Sequence, residues 1–318
     1  MAFALFSLSG ILICAVAYAL IDFILPYVRP SKLHRYLHVK DGKPAWALVT
    51  GASDGIGKAL SFELASQGFN VVLHGRNPAK LERVQRELET AHPNRSFRIL
   101  IADATQCAQA PDTFKDIAHR LSDIHLTVLI NNAGGTPILT EKLFKGVDEY
   151  THKEIADTIA LNATFPTMLW STLVPSLSQN APALILVVGS LASNGLPLVA
   201  PYGSSKSYLR TLSESLAQEM IIAGRDIEVL HVGLGTVTGV SGIWTPPSLF
   251  VPHATTMAKA IMGRVGCERV DVVPYWPHAV QIMGTVLLPG WMKGMIFRKV
   301  MVDLQKKGLN PGDEKKRE

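Results

Sequence analysis

The stretch Ala45-Trp46-Ala47-Leu48-Val49-Thr50-Gly51-Ala52-Ser53-Asp54-Gly55-Ile56-Gly57 decides the fold of this chain. Ala45 to Val49 is an unbroken apolar run ending at Thr50, the pattern of a strand buried on both faces. Three glycines follow within seven residues, and then residues 58–68 repeat their apolar positions with helical spacing. Strand, glycine-rich turn and helix in that order form the opening unit of a parallel α/β sheet. Glycines in such a turn let the backbone reverse tightly and approach a pyrophosphate, whose charge then lies against the helix N-terminus. The spacing Gly-x-x-x-Gly-x-Gly departs from the common dinucleotide fingerprint, but its place between a buried strand and a helix is that of a nucleotide turn.

Downstream, the same alternation repeats. Apolar strand patterns occupy residues 70–74, 97–101, 127–130, 184–188 and 227–232, and helical patterns occupy 78–91, 111–121, 149–177 and 204–223. The expected fold class is therefore α/β, a Rossmann-type doubly wound parallel sheet. With no internal repeat and no low-complexity linker, residues 44–273 read as one domain.

Tyr202-Gly203-Ser204-Ser205-Lys206 stands at the start of the last of these helices. Tyrosine and lysine four positions apart share one helix face. A free phenol has a pKa near 10, too high for fast proton transfer at neutral pH. A neighbouring ammonium favours the phenolate and is expected to lower that value, making the pair a general acid/base suited to a carbonyl or an alcohol.

The turn from Thr50 to Gly57, the strand end Asn131-Asn132-Ala133-Gly134, the serine closing the fifth strand and Tyr-x-x-x-Lys occur in this order. Together they resemble the short-chain dehydrogenases/reductases over nearly all of residues 44–273. The resemblance implies a catalytic tetrad. Tyr202 would be the proton donor in reduction, and Lys206 would lower its pKa and hold the nicotinamide ribose. Ser190 would hold the substrate carbonyl, and Asn162 a water in a proton relay. Ser190 and Tyr202 are 12 positions apart, one fewer than the family spacing implies, so Ser193 is the fallback serine.

For the cofactor, the resemblance implies contacts from Thr50, Gly51, Ser53, Asp54, Gly55, Ile56 and Gly57 in the turn. It adds Asp103 beside the adenine, Asn131 and Ala133 at the fourth strand end, Gly235, Val237 and Thr238 near the carboxamide, and Tyr202 and Lys206. Leu234 stands where the family carries a proline. A classical NAD site has an acidic residue after the second strand. Here that place reads His74-Gly75-Arg76-Asn77, and Arg76 offers a planar cation to a 2′-phosphate, so NADP(H) is the expected cofactor.

Residues 2–28 are almost wholly apolar and long enough to cross a bilayer. A signal peptide would start with a basic region, which is missing, and a buried helix would be one without a polar face; a membrane anchor fits best. Arg29, Lys32, Arg35, Lys40 and Lys43 follow in an expected basic linker of residues 29–43, which orients the rest to the cytosol. Lys315-Lys316-Arg317-Glu318 resembles a dilysine retrieval signal. The expected location is the endoplasmic reticulum membrane with the catalytic domain facing the cytosol. Residues 274–318 read as an apolar membrane-proximal segment, embedded at the surface or packed on the domain, ahead of a charged tail.

The formal charge of +5 is modest and its basic residues are not interleaved with aromatics, so no nucleic-acid partner is expected. Cys14, Cys107 and Cys267 match no metal or redox spacing and read as free thiols, so no metal site is expected. The anchor, the dilysine-like end and Tyr275-Trp276-Pro277-His278 resemble the branch holding very-long-chain 3-oxoacyl-CoA reductases and 17β-hydroxysteroid dehydrogenases. The resemblance implies reduction of an apolar ketone or acyl-CoA substrate, with membrane lipid as a partner and a homodimer left open. A substrate lid is expected over residues 240–266, with Trp244, Pro246, Pro247, Leu249 and Phe250. Two alternatives stay open: a steroid, retinoid or secondary-metabolite dehydrogenase of this fold, and a silent cofactor-binding scaffold.

Overall fold

The structure, a computed structural model, describes residues 2–107, 110, 112–136, 143–240, 245–286 and 288–306. Trp244 and the four terminal residues 315–318, singled out above, lie outside them.

Every residue of β1 (Ala45–Thr50) is buried. The pleat sends alternate side chains to opposite faces, so Ala45, Ala47 and Val49 enter one core and Trp46 and Leu48 the other. Six strands join it: β2 (Asn70–Gly75), β3 (Phe97–Ile101), β4 (His125–Asn131), β5 (Ala183–Val188), β6 (Ile227–Val232) and β7 (Asp271–Val272). The order is β3-β2-β1-β4-β5-β6-β7, and every pairing is parallel. The strand order reverses between β1 and β4, and the crevice at the C-terminal ends there is where open α/β sheets bind ligands.

The first core is covered by α2 (Gly55–Ser66), α3 (Pro78–Ala91) and α8 (Ala254–Met262), through Leu60, Leu64, Leu81, Leu88, Met257 and Ile261. The second is covered by α4 (Asp112–Arg120), α6 (Phe165–Gln179) and α7 (Ala200–Ile222), through Phe114, Ile117, Leu169, Trp170, Leu209 and Met220. Local chemistry starts these helices. Asp54 caps α2 by accepting from the Gly55 amide, and Asn77 caps α3 with Pro78 in its first turn. Thr151 and Glu154 form a reciprocal capping box on α5 (His152–Ile159).

Three expectations change. The helix anticipated over 149–177 is α5 and α6 joined by a π-helical turn, Ala160–Thr164. The lid anticipated over 240–266 is only partly peripheral, because α8 buries Met257, Ala258, Ile261 and Met262 in the core. Residues 29–43 are packed rather than a free linker. Leu33 and Tyr36 are buried, the Thr127 hydroxyl donates to the Tyr36 carbonyl at 2.8 Å, and Arg35 holds both oxygens of Asp226 at 2.7 Å.

Helix α1 (Ala2–Val28) leaves Ile11, Leu12, Ile13, Val16, Tyr18, Leu20 and Ile21 at least half exposed, so it is no core helix. Gly10–Val28 has a mean hydropathy of 2.3, long and apolar enough to cross a membrane. Its last turns are bolted to the domain. Arg269 pairs with the Asp22 carboxylate, Arg264 donates to the Pro26 carbonyl, and the Tyr27 hydroxyl donates to the Val273 carbonyl at 2.7 Å. At the other end of the chain, α9 (Trp276–Val286) and α10 (Gly290–Lys306) pack back on the domain. Met301 of α10 is buried in one cluster with Ala192 and Val199, and Phe144, Leu198 and Tyr202 pack against that cluster.

Candidate active site

The turn between β1 and α2 is held against the end of β4. The Thr50 hydroxyl accepts from the amides of Asn132 and Ala133, each at 2.9 Å, and the Asn132 side chain donates to the Thr50 carbonyl at 2.9 Å. Gly51 has φ +66°, and a Cβ there would sit 2.9 Å from the Ala133 Cα. At Gly57 a Cβ would sit 2.1 Å from the Gly51 carbonyl oxygen, which no shift of a flexible side chain relieves. These two glycines are therefore demanded by close backbone approach, and Asp54 caps α2 by accepting from the Gly55 amide at 2.7 Å. Ser53 and Ile56 lie on the same partly exposed rim.

The other expected cofactor residues line up along the strand ends. Asn131 is buried, and neither atom of its side-chain amide has a partner among the described residues. A buried amide left open beside a glycine-rich helix start fits a polar ligand. Arg76 is exposed just beyond β2 and makes no ion pair with the described residues. Asp103 follows β3 and accepts from the Thr105 amide and hydroxyl at 2.9 and 2.8 Å. Residues 234–238 follow β6. Val237 and Thr238 are buried, and Val240 covers Gly55, 3.1 Å from where its Cβ would be. The set offers backbone donors at a helix start, an open amide and a free guanidinium, which fits a phosphorylated dinucleotide.

Tyr202 lies in the first turn of α7. Gly203 beside it lets α7 press on the turn after Ser190, since a Cβ there would meet the Ala192 carbonyl oxygen at 2.8 Å. Ser190 closes β5 and accepts from the Ala192 amide at 3.1 Å. Burial pushes the Tyr202 phenol above its ordinary value, and a hydrogen bond with the Ser190 hydroxyl opposes that rise. This differs from the lowering expected from Lys206. Tyr202 keeps partial exposure by area, so water at the cleft mouth moderates the rise. The contact pairs Tyr202 with Ser190. The fallback Ser193 is instead tied by its backbone, its carbonyl accepting from the Ser207 hydroxyl at 2.8 Å.

Lys206 is buried, its Nζ 2.9 Å from the Val188 carbonyl it donates to and 5.9 Å from the Tyr202 ring centre. Burial brings its pKa down to about 8, so the amine stays protonated at neutral pH. Asn162 occupies the π turn. Its side chain accepts from the Gly135 amide at 2.9 Å and donates to the Gly135 carbonyl at 2.7 Å and the Thr158 carbonyl at 2.8 Å. A Cβ on Gly134 would meet both Asn162 Oδ1 and Lys206 Nζ at 2.8 Å. The π turn thus presses Asn162 against the β4 loop opposite Lys206, and such turns recur at functional sites.

A protein-family model described as short chain dehydrogenase matches residues 45–242. The chain belongs to the short-chain dehydrogenase family. It is 33% identical over 291 residues to a very-long-chain 3-oxoacyl-CoA reductase of Scheffersomyces stipitis, covering 86% of this chain and 79% of that one. It is 30% identical over 295 residues to the very-long-chain 3-oxoacyl-CoA reductase let-767 of Caenorhabditis briggsae, covering 91% and 90%. Among solved structures, a short-chain dehydrogenase from Sphingobium yanoikuyae in complex with NADPH aligns with a TM-score of 0.63 at 24% identity, over 79% of this chain and 95% of that one.

Three site residues escaped the sequence reading. Met301 from α10 shares with Ala192 and Val199 the cluster against which Tyr202 and Leu304 pack, and His278 from α9 reaches the loop after β6. The sequence around Met301 and Leu304 mixes apolar and charged residues and carries no motif. Only the motif around His278 stood out.

Proposed function

We propose that this short-chain dehydrogenase reduces a very-long-chain 3-oxoacyl-CoA to the 3-hydroxyacyl-CoA, using NADPH. The observation that carries this is similarity to such reductases extending across 86–91% of the chain, beyond the family core and into both ends. When bound, NADPH supplies the hydride that reaches the C3 carbon. Tyr202 then gives its phenolic proton to the carbonyl oxygen. The Ser190 hydroxyl donates a hydrogen bond to that oxygen and offsets its developing negative charge. Lys206 keeps a positive charge beside the phenol as its proton leaves and donates to the nicotinamide ribose. Asn162 shapes the proton path by holding the loop at Gly134 and Gly135. Arg76 would bind the 2′-phosphate, Asp103 would contact the adenine, and Asn131 would border the cofactor.

The substrate's acyl chain is apolar, and the enzyme is held where such chains dissolve. Helix α1 spans the bilayer, and Asp22 marks its cytosolic edge. The residues before it, from Ala2 to Ile21, rise about 1.5 Å each, on the order of 30 Å, the thickness of the hydrocarbon core. The ion pair with Arg269 keeps Asp22 at the domain surface rather than in lipid. The location is the endoplasmic reticulum, with the catalytic domain in the cytosol. NADPH oxidation by the purified full chain, measured against 3-oxoacyl-CoAs of graded length, steroids and retinoids, tests the activity. Turnover of steroids or retinoids alone overturns the acyl-CoA assignment. Protease treatment of intact microsomes tests the topology: a C-terminal tag should be digested without detergent.

A further inference from the structure

We infer that His278 is a positioning residue for the cofactor loop, locking residues 234–238 into a single conformation from the first turn of α9. The inference rests on the dinucleotide reading of the groove. His278 is fully buried. Its Nδ1 accepts from the Gly235 amide at 3.1 Å, and its Nε2 donates to the Phe250 carbonyl at 3.1 Å. An amide needs an acceptor and a carbonyl needs a donor, so only the neutral ring protonated at Nε2 satisfies both. Burial lowers the imidazole's pKa below its ordinary value and favours that form.

The ring also explains the glycine it touches. A Cβ on Gly235 would lie 2.9 Å from His278 Nδ1 and 3.0 Å from Cγ and Cε1. Tyr275 closes the ring's other side edge-on, with ring centres 5.2 Å apart. The loop's near end is tied separately, because the Leu191 amide donates to the Leu234 carbonyl at 2.8 Å. Leu191 follows Ser190 directly, so the loop spans from the catalytic serine's turn to the start of α2, where Val240 covers Gly55.

A physical need for this lock exists. A proline at position 234 would fix that residue's φ near −65°. Leu234 imposes no such limit, so the loop must be held from outside. His278 supplies that hold across 43 positions of sequence. It also joins the cofactor loop to the turn at Phe250.

The competing reading is a histidine that only docks α9. The experiment separates the two in the full-length protein, using His278→Ala and His278→Asn. Asparagine keeps an acceptor near the Nδ1 position but cannot reach Phe250. Hydrogen exchange of the peptide covering 233–240, measured without cofactor, reads the lock directly. NADPH titration by fluorescence and the split between NADPH KM and kcat read its consequence. His278→Ala should speed exchange at 233–240 and weaken NADPH binding about tenfold, the worth of one buried hydrogen bond. His278→Asn should recover most of that affinity while leaving 248–252 less protected. Unchanged exchange at 233–240 in folded His278→Ala overturns the lock. Faster exchange with unchanged NADPH affinity overturns the positioning role and leaves α9 docking. If His278→Ala does not fold, His278→Leu, which keeps bulk but offers the Gly235 amide no acceptor, decides by the same two readouts. A wild-type chain that fails to bind NADPH would sink the cofactor reading instead, and the exchange measurement would still report on the lock.

Discussion

Lys206 carries the most quantitative expectation. Its amine is buried and its pKa falls from 10.5 to about 8 because burial penalises the charged form. Between those values the unfolded chain binds more protons than the folded one, so stability rises with pH across that window. At about 1.4 kcal/mol per pH unit, the charged side chain costs on the order of 3 kcal/mol at neutral pH. Roughly 2 kcal/mol of this is recovered by about pH 9.5. Lys206→Met removes the titration and keeps the length. On going from about pH 7 to 9.5, the wild type should therefore gain roughly 2 kcal/mol more stability than the variant. That corresponds to a difference of roughly 4–8 °C in the two melting shifts for a domain of this size. The comparison of shifts cancels the lost hydrogen bond to Val188 and every other titrating group common to both proteins. The assay is thermal unfolding of the detergent-solubilised, cofactor-free full chain at both pH values. Equal shifts in the two proteins would refute the claim that a buried charge is maintained at this site.

Other expectations follow from the same site. Tyr202→Phe should lose at least ~100-fold in turnover while NADPH affinity stays near wild type, since only the transferable proton is removed; near-normal turnover of the purified variant would end its assignment as the acid. Arg76→Asp should reduce or reverse a preference for NADPH over NADH, read from kcat/KM with each cofactor, and a wild type that already prefers NADH contradicts the role given to Arg76. Ser190→Ala should slow the single-turnover rate far more than Ser193→Ala, because Ser190 is the serine hydrogen-bonded to Tyr202. The opposite order would reassign the serine. Gly189→Ala should disturb the same serine, because its Cβ would sit 2.0 Å from His231 Nε2, and a soluble variant with unaltered turnover would show that the β5 end can yield.

Local sequence pattern determined much of this protein. A strand buried on both faces must be an apolar run, so β1 was legible to the residue, as were the bounds of β3 and β6, and the helical pattern from residue 78 marked where α3 begins. The glycine turn, the strand-end asparagines, Ser190 and the Tyr202–Lys206 pair were legible because each needs particular residue types at short spacing. What escaped has no short-range signature. β7 is two residues long, too short for any periodicity. The π turn under Asn162 has the same helical pattern as its flanks. The burial that raises the Tyr202 pKa depends on what distant parts of the chain pack around it, including the cluster of Ala192, Val199 and Met301, which the i, i+4 spacing does not report. The pairing of Asp22 with Arg269 joins positions 247 apart, and His278 meets Gly235 across 43. Such contacts arise only when the sheet brings distant segments to one edge, because hydrogen bonds and close packing act over a few ångströms while sequence periodicity reports only on neighbours along the chain.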